Sequence, residues 1–101
     1  MRIEITAQDD SVSARTRAYA EYRVFTTLAR HSRRIQRVWL ILGPPDPRGG
    51  TVTCEVDVSL HASGSARVMA QGPHAHAAID RAAESIGNVI DRLEALNGDS
   101  V

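Results

Sequence analysis

The chain has 101 residues, 43% of them hydrophobic, and a formal net charge of zero. This length is typical of one domain, and the apolar content is enough to fill a core. No apolar run approaches the roughly 18 residues of a membrane-spanning helix, and the amino-terminal sequence MRIEIT lacks the hydrophobic run of a signal peptide. Cys54 is the single cysteine, which excludes an internal disulfide and fits a reducing compartment. We expect one cytoplasmic domain over residues 1–101, with an ordered core of about residues 2–97.

Charge is distributed unevenly along the chain. Seven arginines and one acid lie between Ser13 and Arg37, whereas five acids and two arginines lie from Ile79 onward. The zero net charge argues against an indiscriminate nucleic-acid binder, but the early part of the chain is strongly basic. All twelve basic residues are arginine, which we attribute to a GC-rich genome rather than to phosphate recognition.

The first predicted elements are a strand and a helix. Residues 2–6 alternate between polar and apolar side chains, which predicts a short half-buried strand. Ser11 or Ser13 is the expected N-cap of a helix that continues to about Ser32. The apolar side of this helix is predicted to comprise Ala14, Ala18, Val24, Phe25, Leu28 and Ala29.

Three strands are predicted next. Residues 35–42 (IQRVWLIL) are apolar and β-branched, and residues 43–50 (GPPDPRGG) form a loop because proline and glycine disrupt regular structure. Residues 51–60 (TVTCEVDVSL) alternate strictly and place Cys54 on the apolar face. A hairpin connection, HASGS, then leads to an antiparallel strand at residues 66–71 (ARVMAQ).

A second helix is predicted after Pro73, running to about Leu96, with Gly98 where a C-terminal cap belongs. Its predicted apolar stripe is Ala75, Ile79, Ala82, Ile86, Val89, Ile90, Leu93 and Leu96. The element order is β-α-β-β-β-α. Because only one face of the sheet is apolar, both helices must cover that face. The predicted fold is therefore an α+β two-layer sandwich with a four-stranded sheet and two helices on one side.

Two histidines, His74 and His76, lie in the segment GPHAHAAIDRAA. A zinc or iron site needs three or four converging ligands, but on a helix these two side chains point roughly 200° apart. Asp80 follows His76 by one helical turn, which fits a surface or capping pair. We expect the polar start of a helix, with no metal and no cofactor.

No catalytic arrangement is recognisable. The serines and histidines do not occur in a nucleophile-elbow motif, and Cys54 belongs to the inward face of its strand. The glycines near residue 50 lack the spacing of a phosphate-binding loop. We do not expect an enzyme.

A basic arc on the first helix is the strongest functional signal. The arc spans about 100°, lies opposite the predicted apolar stripe and includes Tyr19. Like charges at these spacings repel, so a face of one sign favours a polyanionic partner over a simply solvated surface. Guanidinium groups suit phosphate oxygens, and a tyrosine can stack on a base or sugar, although RNA and DNA are not distinguished. The arginines of the arc are Arg15, Arg23, Arg30, Arg33 and Arg34.

Several segments carry a resemblance to a known family: MRIEIT, RAYAEYRVFTTLARHSRRIQRVWLIL and AAIDRAAESIGNVIDRL. They resemble the ribosome-associated hibernation factors, also known as sigma-54 modulation or ribosomal subunit interface proteins. AAIDRAA is the most specific piece, and DPRGG followed by TVTCEVDVSL resembles a proteobacterial branch. A tyrosine commonly precedes AAIDRAA in similar proteins. Here His76 stands there, so we expect this position to serve only as a structural helix start.

The resemblance implies the same fold, similar to double-stranded RNA-binding domains, and a function without catalysis. That function is translation inhibition: the protein would bind the 16S rRNA of the small ribosomal subunit between head and body, and block the mRNA and tRNA sites by steric exclusion. The resemblance implies no association with a membrane and no small-molecule substrate. The expected rRNA contacts are the arginines of the arc and Tyr19, joined on the second helix by Arg81 and Arg92.

The second helix departs from the family pattern. In similar proteins this helix is crowded with Lys and Arg and continues into a basic tail. Here Ser85, Asn88 and Asp91 lie along the helix, and Glu94 and Asp99 end it. Each lost phosphate contact weakens binding and flattens its salt dependence. The chain also stops before the second domain with which long members pair ribosomes, so we expect no pairing of that kind.

An alternative hypothesis is a diverged family member that acts as a protein-interaction or regulatory module without strong ribosome binding. Trp39, expected on the outward face of the sheet, could anchor such an interface. The sequence leaves open the ribosome affinity, the conditions of expression and the oligomeric state, including a weak homo-oligomer. It also leaves open whether Trp39 or the loop at residues 43–50 contacts a partner.

Overall fold

A computed structural model describes residues 1–9, 12–62 and 64–98. The elements occur in the predicted order: β1 (Arg2–Ala7), α1 (Ala14–Leu28), a 3₁₀ turn (Ala29–His31), β2 (Ile35–Leu42), β3 (Val52–Leu60), β4 (Ser65–Gly72) and α2 (Ala75–Gly98). The strands form one sheet in the order β1-β2-β3-β4. β1 and β2 are parallel and joined by α1, whereas the other neighbouring pairs are antiparallel.

One face of the sheet forms the core, because the strands alternate as predicted. In β3, Val52, Cys54, Val56 and Val58 are buried and the residues between them are not. Burial raises the pKa of the Cys54 thiol to about 12, so this side chain packs as an apolar group rather than acting as a nucleophile. Both helices contribute to the same core, which confirms the two-layer α+β sandwich.

α1 begins where the sequence predicts but ends earlier. The Ser13 Oγ accepts a hydrogen bond from the backbone N–H of Thr16 at 3.1 Å and caps the helix. Ser11, the other candidate cap, and Asp99 lie outside the described residues. The α-helix stops at Leu28 rather than near Ser32, because the following 3₁₀ turn tightens the chain and brings its last residue against α2.

The buried side of α1 is rotated from the predicted one. Val24 and Leu28 are buried as predicted, but Ala20 is buried as well. α1 packs on the sheet and on α2 together, so it buries the side that lies between these two contacts. The predicted side took account of packing on the sheet alone. The prediction was wrong at three positions that are exposed in the structure: Ala14, Ala18 and Phe25.

α2 buries most of its predicted stripe, including Ile79, Ala82, Ile86 and Ile90. Leu96 is instead 70% exposed, which corrects the prediction there. The helix has 24 residues and is roughly 36 Å long, whereas an eight-residue strand spans about 26 Å. The last turn of α2 therefore extends beyond the sheet that would cover it.

The two helices approach closely at Gly87. A Cβ added there would lie 2.7 Å from the Thr27 Cγ2, and a β-branched side chain in a helix has little rotational freedom. Overpacking of this kind costs roughly 1–3 kcal/mol, against about 1 kcal/mol gained in helix propensity. We expect Gly87→Ala to lower the free energy of unfolding by about 1 kcal/mol, and the melting temperature by roughly 4–8 °C.

The matched control is Gly87→Ala combined with Thr27→Ser, because serine lacks the clashing methyl group. Thermal melts followed by circular dichroism should show the loss in the single variant and its recovery in the double variant. A single variant that melts above the unmodified protein would contradict close packing at this point.

Candidate nucleic-acid interface

Asp80 links α2 to α1 through two side chains. Its Oδ1 accepts a hydrogen bond from the Tyr19 hydroxyl at 2.5 Å and another from the Arg23 Nε at 2.8 Å. The Tyr19 ring stacks on the His76 ring, with 4.4 Å between centroids. The hydrogen bond from Tyr19, aided by the Arg23 guanidinium, lowers the pKa of Asp80, and the same hydrogen bond raises the pKa of Tyr19. We name these four residues the Asp80 cluster.

A second group surrounds His31, which is 7% exposed. Its Nε2 lies 2.7 Å from the Asp91 Oδ1, and its Nδ1 lies 2.7 Å from the Glu94 Oε2, although that second contact lacks hydrogen-bond alignment. The Arg30 Nη2 donates to both Asp91 carboxylate oxygens at 2.5 and 2.6 Å. The Arg34 Nε lies 3.4 Å from the Glu94 Oε1. We name these five residues the Asp91 cluster.

The two clusters correct the predicted basic arc. Arg23, Arg30 and Arg34 are each paired with a carboxylate of α2, so they do not form a face free of acids. The rotation of α1 and the 3₁₀ turn redirect these side chains toward α2. Their positive charges are therefore largely compensated within the protein.

Other arginines of the prediction remain uncompensated. Arg15, Arg33 and Arg92 are exposed and have no hydrogen-bond or ion-pair partner among the described residues. Arg81 is also exposed, and its Nη1 donates to the backbone carbonyl of Gln71 at 2.7 Å. That partner is neutral, so the charge of Arg81 remains available to an anion.

The solvent-facing side of α1 carries aromatic rings that the sequence did not indicate as part of an interface. Tyr22 is 63% exposed and Phe25 is 53% exposed. Arg15 precedes them by seven and ten residues, which places all three on the same side of the helix. Tyr19, the residue predicted to stack on a base, instead belongs to the Asp80 cluster.

The start of α2 is polar, as the sequence predicts, but Asp80 pairs with Tyr19 and Arg23 of α1 rather than with His76. The His74 Nδ1 accepts a hydrogen bond from the backbone N–H of Ala77 at 3.2 Å, whereas His76 faces Tyr19. Within residues 1–9, 12–62 and 64–98, no group of three or more His, Cys, Asp or Glu side chains could hold a metal ion. Neither described helix combines the length and the apolar character that a membrane-spanning segment requires.

Trp39 lies on the outer face of the sheet, as predicted, and is 37% exposed. Its Nε1 donates a hydrogen bond to the Thr6 Oγ1 at 2.8 Å, and the Arg37 guanidinium lies 5.2 Å from the ring centroid. These contacts occupy the indole N–H and cover part of the ring. Trp39 is therefore a weaker anchor for a partner than a free indole would be.

The paired carboxylates make the stability of the fold sensitive to acid. The pKa values of Asp80 and Asp91 are lowered in the folded protein by their hydrogen bonds to Tyr19 and His31 respectively. Their stabilising contribution is therefore present above the unfolded pKa of about 4 and is lost as the pH falls through the lower, folded values. We expect the urea midpoint to fall between about pH 5 and about pH 3.

The control for this pH dependence is the double variant Asp80→Asn with Asp91→Asn, which cannot titrate at these positions. Its urea midpoint should start lower at about pH 5 and change less toward about pH 3. Equal slopes for the two proteins would show that other carboxylates control the acid response.

Two solved structures share this fold. The N-terminal domain of Protein Y from Thermus thermophilus aligns with a TM-score of 0.75 at 21% identity, covering 92% of this chain and 99% of that chain. A ribosomal subunit interface protein from Coxiella burnetii aligns with a TM-score of 0.75 at 16% identity, covering 94% and 99% of the two chains. No curated protein matches the sequence significantly.

A family model described as sigma 54 modulation protein / S30EA ribosomal protein matches residues 3–95. The match includes α1, β2, β3 and β4, all of β1 except Arg2, and α2 as far as residue 95. The chain therefore belongs to this family of ribosome-associated factors, which confirms the resemblance noted in the sequence.

Proposed function

We propose that the protein is a translation inhibitor, or hibernation factor, that binds the 16S rRNA of the small ribosomal subunit. Bound there, it excludes mRNA and tRNA sterically, without catalysis, cofactor or small-molecule substrate, and its location is cytoplasmic. The observation that carries the proposal is the family match over residues 3–95. The exposed, uncompensated arginines on the helical side of the fold support it, because guanidinium groups bind phosphate oxygens well.

The proposed rRNA contacts fall into two groups. Arg15, Arg33, Arg81 and Arg92 are available to phosphates without breaking an ion pair. The others would contact rRNA only in competition with carboxylates of α2, and they contribute less affinity for that reason. This second group comprises Tyr19, Arg23, Arg30 and Arg34.

Co-sedimentation tests the partner directly. The protein, mixed with bacterial small subunits in about 50 mM salt, should migrate with the subunit in a sucrose gradient and dissociate as salt is raised. Large subunits are the matched control and should not retain it. A protein that stays at the top of the gradient with small subunits at low salt would contradict the proposal.

Competition tests the mechanism. Small subunits loaded with labelled tRNA and a short mRNA should lose the tRNA as the protein is added, because both ligands occupy the same space. Stable co-binding of protein and tRNA would retain the ribosomal partner but refute steric exclusion.

A second candidate function is a protein-interaction module without strong ribosome binding. The compensated charges of Arg23, Arg30 and Arg34 favour it, because fewer positive charges remain for rRNA. Reversing the charges of Arg23 and Arg30 distinguishes the two functions. A protein-interaction module would still capture its protein partner, whereas a ribosome-binding factor would bind small subunits more weakly.

A further inference from the structure

The solvent-facing side of α1 exposes two aromatic rings next to an uncompensated arginine. Arg15, Ala18, Tyr22 and Phe25 follow one another at intervals of three or four residues and so form one continuous row on the helix. Tyr22 and Phe25 are both more than half exposed. We name this row the α1 aromatic face. Large exposed aromatic rings in a row are uncommon on a surface that contacts only water.

The charge on this side of α1 indicates the chemistry of its partner. Arg15 has no partner among the described residues, so the N-terminal end of the row is positively charged. Glu21, the single acid in the helix, lies one turn before Phe25, beside the C-terminal end of the row. An anionic partner with flat apolar surfaces fits this combination. RNA supplies both, since a phosphate can bind Arg15 while a base covers an aromatic ring.

The bases must be unpaired to reach the rings. In an RNA duplex the faces of the bases are stacked on one another, whereas loops, bulges and single strands expose them. Ala18, one turn before Tyr22, has a side chain of a single methyl group, so it leaves space for a flat base beside the tyrosine ring.

We propose that Tyr22 and Phe25 stack on unpaired bases of the small-subunit rRNA, beside a phosphate bound by Arg15. This inference depends on the proposed function and specifies part of its contact. Stacking depends little on salt, whereas phosphate contacts weaken steeply with it. The α1 aromatic face therefore supplies affinity that the compensated arginines of the two clusters do not.

Alanine variants test the stacking. Tyr22→Ala and Phe25→Ala should each lower the affinity for small subunits about tenfold or more, and the double variant about a hundredfold. The slope of log affinity against log salt should stay unchanged in all three. Arg15→Ala should instead make that slope shallower by roughly one. Met69→Ala, which removes a large exposed apolar side chain from the outer face of the sheet, is the matched control and should bind like the unmodified protein.

Conservative variants separate a base from an apolar protein surface. Phe25→Trp keeps a stacking ring and should retain the affinity, whereas Phe25→Leu keeps only apolar bulk and should lose as much as Phe25→Ala. Methylation by dimethyl sulfate should identify rRNA bases that the unmodified protein protects and the Tyr22→Ala, Phe25→Ala double variant leaves reactive.

Two outcomes overturn the inference while small-subunit binding persists: alanine variants that bind like the unmodified protein, or a leucine variant that binds as well as the tryptophan variant. The latter would show contact with a ribosomal protein. If the unmodified protein fails to bind small subunits at any salt concentration, the proposed function fails, and this inference fails with it.

Discussion

Reversing the charges of Arg15, Arg33 and Arg92 together is expected to lower the affinity for small ribosomal subunits by about a thousandfold or more. None of these guanidinium groups is paired with a carboxylate among the described residues, so each can bind a phosphate without breaking such an ion pair. Hydrogen bonds to charged groups contribute roughly 1.5–3 kcal/mol each, and a glutamate adds repulsion from the rRNA backbone. Filter binding at constant salt measures the loss.

The matched control reverses the same number of charges at positions outside the helices. Arg2 and Arg67 lie on the outer face of the sheet, and Arg48 lies in the loop between β2 and β3. Glutamate at these three positions changes the net charge equally and should have a much smaller effect. Thermal melts should show that both triple variants remain folded. An equal loss in the two would mean that overall charge, rather than a defined interface, determines binding.

Neutralising the three carboxylates of α2 is expected to have a large effect in the opposite direction. Asp80, Asp91 and Glu94 compensate Arg23, Arg30 and Arg34. The triple variant is Asp80→Asn, Asp91→Asn and Glu94→Gln. It leaves up to three guanidinium groups free to bind phosphates. The slope of log affinity against log salt should steepen by about two, and the affinity at about 50 mM salt should rise roughly a hundredfold.

The control for this gain neutralises three acids on the outer face of the sheet: Glu4→Gln, Glu55→Gln and Asp57→Asn. The net charge rises equally, so a similar gain in affinity would show a nonspecific effect. Both proteins are compared well below their melting temperatures, because the carboxylate variants lose ion pairs that stabilise the fold. An unchanged affinity in the α2 variant would place the compensated arginines outside the interface.

The architecture was predictable because local patterns determine it. β3 alternates without exception, so its inward set, including Cys54, follows from the period of a strand alone. The start of α1 follows from a capping serine, Ser13, at the point where helical periodicity begins. Prolines and glycines fix the loop between β2 and β3 in the same local way.

The rotation of α1 was not predictable from its own residues. Phe25 and Ala18 look like core residues on a helical wheel, but the position of α2 decides which side of α1 is buried. Tyr22 and Phe25 were consequently missed as interface candidates. Tyr19 was predicted to stack on a base or sugar, but its hydroxyl is hydrogen-bonded to Asp80, which competes with that role.

The ion pairs across the helices left a partial signal in the sequence. Asp80, Asp91 and Glu94 are separated by eleven and three residues, which places them on one side of a helix. That spacing predicts an acidic row on α2. It does not predict that α2 lies parallel to α1 with the row opposite Arg23 and Arg30, since the alignment of two helices depends on packing such as the close contact at Gly87.

The salt dependence of the unmodified protein binding to small ribosomal subunits is the most direct test of the central claim, that a few uncompensated arginines hold it on rRNA. With Arg15, Arg33, Arg81 and Arg92 as the phosphate contacts, we expect measurable binding at about 50 mM salt and a log–log slope of about −3. The absence of binding at low salt would contradict the ribosomal partner. A slope of about −6 or steeper would contradict the compensation of the other arginines by α2.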